Sequence, residues 1–192
     1  MKLIVGMTGA TGAAIGVRVL RALKELDVET HLVISRWART TIELETPYSV
    51  QEVIALASKT YSERDQAAAI SSGSFRVDGM IVVPCSMKTL AAIRCGYGEG
   101  LIARAADVTL KEQRKLVLVP RESPLNAIHL ENMLALTRAG AMMMPPMPAF
   151  YNHPVSTDDI INHVASLILD QFSLENTLTR RLGESPASQT TA

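Results

Sequence analysis

Short apolar runs alternate along this chain with stretches whose apolar residues recur every three or four positions. Leu3-Ile4-Val5 has no polar break and predicts a first strand. Ala13, Ala14, Val17, Leu20 and Leu23 then recur at helical spacing, so a helix follows. Residues 28–34 read as the second strand, 37–44 as a helix broken by Thr46-Pro47, and 50–58 as a further short helix. Residues 61–75 are polar and small, with Ser71-Ser72-Gly73-Ser74 among them, and read as a loop. Residues 79–84 are a buried third strand, and 87–94 and 101–112 are helices. A fourth strand, 115–119, stops at Pro120, and a helix over 127–139 follows. A fifth strand over 141–144 ends before Pro145-Pro146, and the closing helix spans 157–172 with Ser156 as its N-cap. This alternation predicts an α/β domain: a three-layer, flavodoxin-like or Rossmann-like parallel sheet with helices on both faces. Residues 1–182 form one domain, and 183–192 form a polar tail.

In such sheets ligands bind beyond the carboxyl ends of the strands. The unusual polar clusters fall there. Thr8-Gly9-Ala10-Thr11-Gly12 follows the first strand and Ser35-Arg36 the second. Cys85-Ser86-Met87-Lys88-Thr89 follows the third, Arg121-Glu122 the fourth and Pro148-Ala149-Phe150-Tyr151 the fifth. The first turn joins a strand to a helix N-terminus, where free N–H groups and the helix dipole favour an anion. Thr8 and Thr11 add hydroxyls. Two readings of this turn stand side by side: a phosphate cradle, or the small turn any α/β protein needs. It lacks the Gly-Lys-Ser/Thr ending of a triphosphate loop and the three-glycine dinucleotide spacing. Ser35-Arg36, where a dinucleotide reader places an acid, suits phosphate better than a ribose diol.

Composition narrows the field. The 192 residues are 47% hydrophobic, enough for a real core, and no apolar run reaches membrane-span length. The chain opens directly in a strand without a signal-like segment, and its two cysteines are no secreted disulfide framework, so a cytoplasmic home is expected. Zero formal net charge without a basic stripe argues against nucleic acid. Near-neutrality with nine methionines, several in one run, points to apolar surface covered by other subunits.

Each chemical candidate has a plainer alternative. Ser86 and Thr89 suit either helix capping or a bound cofactor. Cys85 has no nearby histidine and reads as packing. Arg121-Glu122 is either a surface ion pair or a phosphate fork beside a proton shuttle. Glu45 reads as a solvated helix glutamate. Arg104 and Lys111, seven apart, share a helix face, either solvated or a basic wall for a phosphate. His129 reads as structural, and no residues show metal-ligand spacing.

Taken in order, six segments resemble the flavin prenyltransferases of the UbiX family, in particular the subgroup long labelled phenylacrylic- or aromatic-acid decarboxylases. They are Met7-Thr-Gly-Ala-Thr-Gly12, Val83-Pro-Cys-Ser-Met-Lys-Thr89, Arg104-Ala-Ala-Asp-Val-Thr-Leu-Lys111, Leu116-Val-Leu-Val-Pro-Arg-Glu122, Ile128-His-Leu-Glu-Asn-Met-Leu134 and Pro148-Ala-Phe-Tyr151. The resemblance implies FMN and a homododecamer with sites between subunits. It implies a metal-independent transfer of a dimethylallyl group from dimethylallyl phosphate to N5 and C6 of reduced FMN. The product, prenylated FMN, would serve a UbiD-type decarboxylase. On that pattern Gly9, Ala10, Thr11, Ser35, Ser86, Met87, Lys88, Thr89 and Arg121 hold FMN. Glu45 and Glu122 manage the proton at the flavin, and Arg104, Lys111 and Tyr151 hold the substrate phosphate. Three departures stand out: Thr11 for the usual serine, Leu167 for a basic phosphate ligand, and Leu182 for a tryptophan near the prenyl group. The last two weaken the allylic-phosphate half and leave open an FMN carrier or chaperone with weakened transferase power. A cysteine-decarboxylating flavoprotein is the other alternative, but no histidine lies between His31 and His129 to act as its base.

Overall fold

The computed structural model describes residues 1–181. Leu182 and the expected tail lie outside the described residues. The strands are β1 (Lys2–Met7), β2 (Glu29–Ile34), β3 (Lys59–Tyr61), β4 (Gly79–Cys85), β5 (Lys115–Pro120) and β6 (Met142–Met143). The helices are α1 (Ala13–Glu25), α2 (Arg36–Glu45), α3 (Val50–Ile54), α4 (Met87–Cys95), α5 (Leu101–Lys111), α6 (Ala127–Arg138) and α7 (Thr157–Asp170). All strand pairs are parallel, in the order β3-β2-β1-β4-β5-β6. This is the Rossmann-type order, whose direction reverses between β1 and β4.

The apolar strand runs are explained by burial on both faces. Leu3, Val5, Ile81 and Val117 point into one core with Val17 and Leu20 of α1 and Val164 and Ile168 of α7. Ile4, Met80, Val82 and Leu116 point into the other, with Leu90 of α4 and Ile102 and Ala106 of α5.

Two elements depart from the sequence reading. The helix expected over 50–58 ends at Ile54, and Lys59–Tyr61 forms an edge strand between that helix and the expected loop, taking the loop's first residue, Tyr61. The Ser58 hydroxyl accepts the Thr30 N–H of β2 at 3.0 Å and starts the chain along the sheet edge. The strand at Gly79 is therefore the fourth, not the third. Residues 69–71 add a single 3₁₀ turn within the expected loop. Ser156 caps α7 as expected, accepting the Asp159 N–H in a reciprocal capping box.

Candidate active site at the strand switch point

Three turns meet beyond the carboxyl ends of β1, β2 and β4. The Thr8 hydroxyl, 2% exposed, donates to the Pro84 carbonyl at 2.7 Å and accepts the Ser86 N–H at 2.8 Å. It therefore locks the β4–α4 turn onto the β1–α1 turn. This corrects the reading of Thr8 as a ligand donor: both its bonds stay inside the protein. Ser86 and Ser35 each cap a helix, accepting from Thr89 N–H at 3.3 Å and from Ala38 N–H at 3.1 Å. The Ser86 hydroxyl also reaches Thr89 Oγ1 at 3.1 Å. Capping and ligand contact are compatible here, because Ser35, Ser86 and Thr89 all line one cavity of about 580 Å³.

Gly9, Lys88 and Arg36 line the same cavity. A Cβ on Gly9 would come within 2.3 Å of Trp37 Cβ, so glycine keeps the cradle open. Hydroxyls, cations and a bare backbone turn at a switch point are the donor set that a phosphate monoester requires. A larger cavity of about 860 Å³ lies at the other end of the sheet, between the end of α1 and residues 173–178. It holds none of the candidate residues.

The N-terminus of α1 is already occupied by an anion. Gly12 sits at φ 106° and offers no capping side chain. Glu45 Oε2 accepts the N–H groups of Gly12 at 2.8 Å and Ala13 at 2.9 Å. The amides read as a ligand cradle thus hold a protein carboxylate, brought from the end of α2. Glu45 is thus a positioned acid group, held by two backbone N–H groups although the residue is exposed.

The remaining candidates fall in three places. Arg121 follows β5, its N–H donating to the Cys85 carbonyl at 3.1 Å. Among the described residues its side chain forms no ion pair with Glu122, whose carboxylate accepts only the Ser123 N–H at 3.1 Å. Arg104 and Lys111 do share a face: Arg104 reaches the Ser71 carbonyl at 3.2 Å and pairs with Asp107 at 2.7 Å, and Lys111 pairs with Glu112 beside Gly73. Tyr151 packs edge-on against His163 of α7 with ring centroids 5.8 Å apart, and Leu167 lies one turn further along that helix, 37% exposed. None of these residues lines the cavity in a single chain, nor do Ala10, Thr11 and Met87, which belong to its turns. Burial pushes the Cys85 thiol up to about 12, which keeps it protonated and un-nucleophilic, in line with a packing role.

Sequence reasoning missed Trp37, Glu63, Arg64, Tyr97 and Glu99, which complete the cavity wall. Trp37 alone carried a signal, being the one tryptophan of the chain and two positions after Ser35.

The Flavoprotein family model matches residues 1–169. The Escherichia coli O157:H7 protein named "Probable UbiX-like flavin prenyltransferase" is 69% identical over 182 residues, covering 94% of this chain and 92% of that protein. The crystal structure of a dodecameric FMN-dependent UbiX-like decarboxylase from the same organism superposes with a TM-score of 0.94 at 68% identity, covering 96% of this chain and all of that one (100%). The structure of AnUbiX (PadA1) with FMN and dimethylallyl pyrophosphate gives a TM-score of 0.94 at 55% identity, covering 96% and 98% of the two chains. Its strand order, its switch-point cavity and these relatives agree: the chain belongs to the UbiX-like flavin prenyltransferases.

Proposed function

We propose that this chain joins the dimethylallyl group of dimethylallyl phosphate to reduced FMN, making prenylated FMN for a UbiD-type decarboxylase. The observation that carries the reading is the cavity at the β1/β4 switch point, whose hydroxyl and cation set fits a single phosphate monoester. When bound, reduced FMN supplies the nucleophilic N5 and C6. Gly9, Ser35, Ser86, Lys88 and Thr89 hold its phosphate end, while Ala10, Thr11, Met87 and Arg121 border the flavin. Glu45, fixed on the α1 N-terminus, and Glu122 hold and move the proton at N5. Lys111, Arg104 and Tyr151 grip the leaving phosphate.

None of these last groups lines the cavity in one chain, and a second copy completes the site. Ile128, Leu134 and Phe150, 66%, 51% and 71% exposed, provide apolar surface for that contact. A homododecamer satisfies both needs. Among the described residues no helix is long and apolar enough to cross a membrane. Free thiols at Cys85 and Cys95 fit a reducing cytoplasm.

Incubation with reduced FMN and dimethylallyl phosphate, followed by flavin mass measurement, tests the reading. A flavin heavier by one dimethylallyl unit is expected. Unchanged flavin with tight FMN binding would instead support the carrier reading, which the apolar Leu167 favours. Leu167→Arg separates these further. A well-placed charge-assisted contact contributes roughly 1.5–3 kcal/mol. The dimethylallyl phosphate requirement should fall about tenfold or more, with FMN affinity unchanged. An unmoved substrate requirement would mean that position 167 does not face the phosphate.

A further inference from the structure

The outer wall of the cavity is built by two loops tied together across its mouth. Gln66 Nε2 donates to the carbonyls of Gly98 at 3.1 Å and Glu99 at 2.6 Å. Glu63 stitches two helix starts at once. Its carboxylate accepts the Arg36 N–H of α2 at 3.0 Å, and its backbone carbonyl accepts the Leu101 N–H of α5 at 2.8 Å. Gly100, the N-cap of α5, offers no capping side chain, so this carbonyl takes that place. Tyr97 donates its hydroxyl to Glu99.

Glu63, Glu99 and Tyr97 all line the cavity that Ser35, Ser86 and Thr89 face. Neither proton-handling candidate, Glu45 on the α1 N-terminus or Glu122 after β5, lines it. The strap therefore walls the hydroxyl cluster without bonding to the proposed proton carriers. Among its lining residues the cavity counts three cations (Arg36, Arg64 and Lys88) against two carboxylates, Glu63 and Glu99. The near balance suits one phosphate monoester. The free N–H of α2, an obvious second anion position beside Ser35, is filled by Glu63.

We propose that the Glu63–Gln66/Tyr97–Glu99 strap is the element that selects FMN over FAD, by closing the phosphate end of the cavity and setting two carboxylates where a second phosphate would lie. The inference rests on the reading that this cavity holds the FMN phosphate. A like-charge contact in a partly closed site is strongly unfavourable, and its removal shows mainly in discrimination.

The test is titration of the assembled protein with riboflavin, FMN and FAD. Glu63→Gln with Glu99→Gln keeps the side-chain shapes and removes both charges, while Gln66→Ala loosens the strap without changing charge. In the wild type FMN should bind more tightly than both riboflavin and FAD. The double glutamine variant should raise the FAD-to-FMN affinity ratio on the order of tenfold to a hundredfold, and Gln66→Ala should raise it by a smaller factor. If FMN and riboflavin bind alike in the wild type, the phosphate assignment fails and takes this inference with it. If FMN outbinds riboflavin but the ratio stays within about twofold in both variants, the cavity reading stands and the strap inference is overturned.

Discussion

Glu45→Gln should lower prenyl transfer by about 10²–10⁴, the usual worth of a positioned acid or base, with little change in thermal stability or FMN affinity. On the proposed reading Glu45 has two separable roles. Its Oε2 caps α1 by accepting from Gly12 and Ala13 at 2.8 and 2.9 Å, and the proposed chemistry assigns its carboxyl group the proton at N5. A glutamine oxygen still accepts both N–H bonds, but the amide cannot exchange a proton. Glu45→Ala loses both roles, so it should show the same loss of turnover plus about 0.5–2 kcal/mol of stability, the range measured for lost helix caps. Glu122→Gln should lose turnover comparably without a stability cost, since its carboxylate holds only the neighbouring Ser123 N–H. Comparison of kcat, melting temperature and FMN Kd across the three variants checks this. Normal turnover in Glu45→Gln would reduce Glu45 to a helix cap.

Legibility in the sequence followed distance along the chain. β1, β2, β4 and β5 are buried on both faces, so their apolar runs stood out. β3 did not: it has three residues, two of them Lys59 and Thr60, at an edge that demands no apolar pattern. The strand-end rule located Ser35, Ser86 and Thr89, because capping and ligand contact ask for the same hydroxyls at the same turns. What escaped were bonds between distant segments. Glu45 lies 33 positions from Gly12, and nothing in Leu44-Glu45-Thr46-Pro47 separates a carboxylate on a helix N-terminus from one in water. Glu63 and Gln66 sit in a small, polar loop, and only the fold brings them against Gly98 and Glu99. Thr8 erred in the other direction: its hydroxyl looked available, but the β1/β4 junction uses it.

Two glycines of the first strand–helix unit, Gly16 and Gly9, should fail in different ways. Gly16 allows α1 to lie directly on β4. A Cβ there would meet the Val83 carbonyl oxygen at 2.7 Å and Met7 Cε at 2.7 Å. The methionine can move, but the carbonyl belongs to a central strand. Gly16→Ala must therefore push α1 off the sheet, with a cost typical of overpacking, about 1–3 kcal/mol or more. Its main readout should be a lower melting temperature, with FMN lost as a consequence. Gly9 is different. Its Cβ would overlap Trp37 Cβ at 2.3 Å and approach the Trp37 backbone carbon at 3.1 Å, at the start of α2 on the surface. That helix can give way without opening either core, since only Ala38 and Ile42 of α2 are buried. Its first turn would move, however, and Ser35 and Arg36 would move with it, away from Ser86 and Thr89. Gly9→Ala should therefore weaken FMN binding by about a hundredfold, roughly the loss of one to two charge-assisted contacts, while the melting temperature of the flavin-free protein changes little. Flavin titration and thermal melts of both variants give the answer. Equal losses of stability in the two would show that the Gly9–Trp37 contact belongs to the core after all, and near wild-type FMN affinity in Gly9→Ala would remove the β1–α1 turn from the phosphate site.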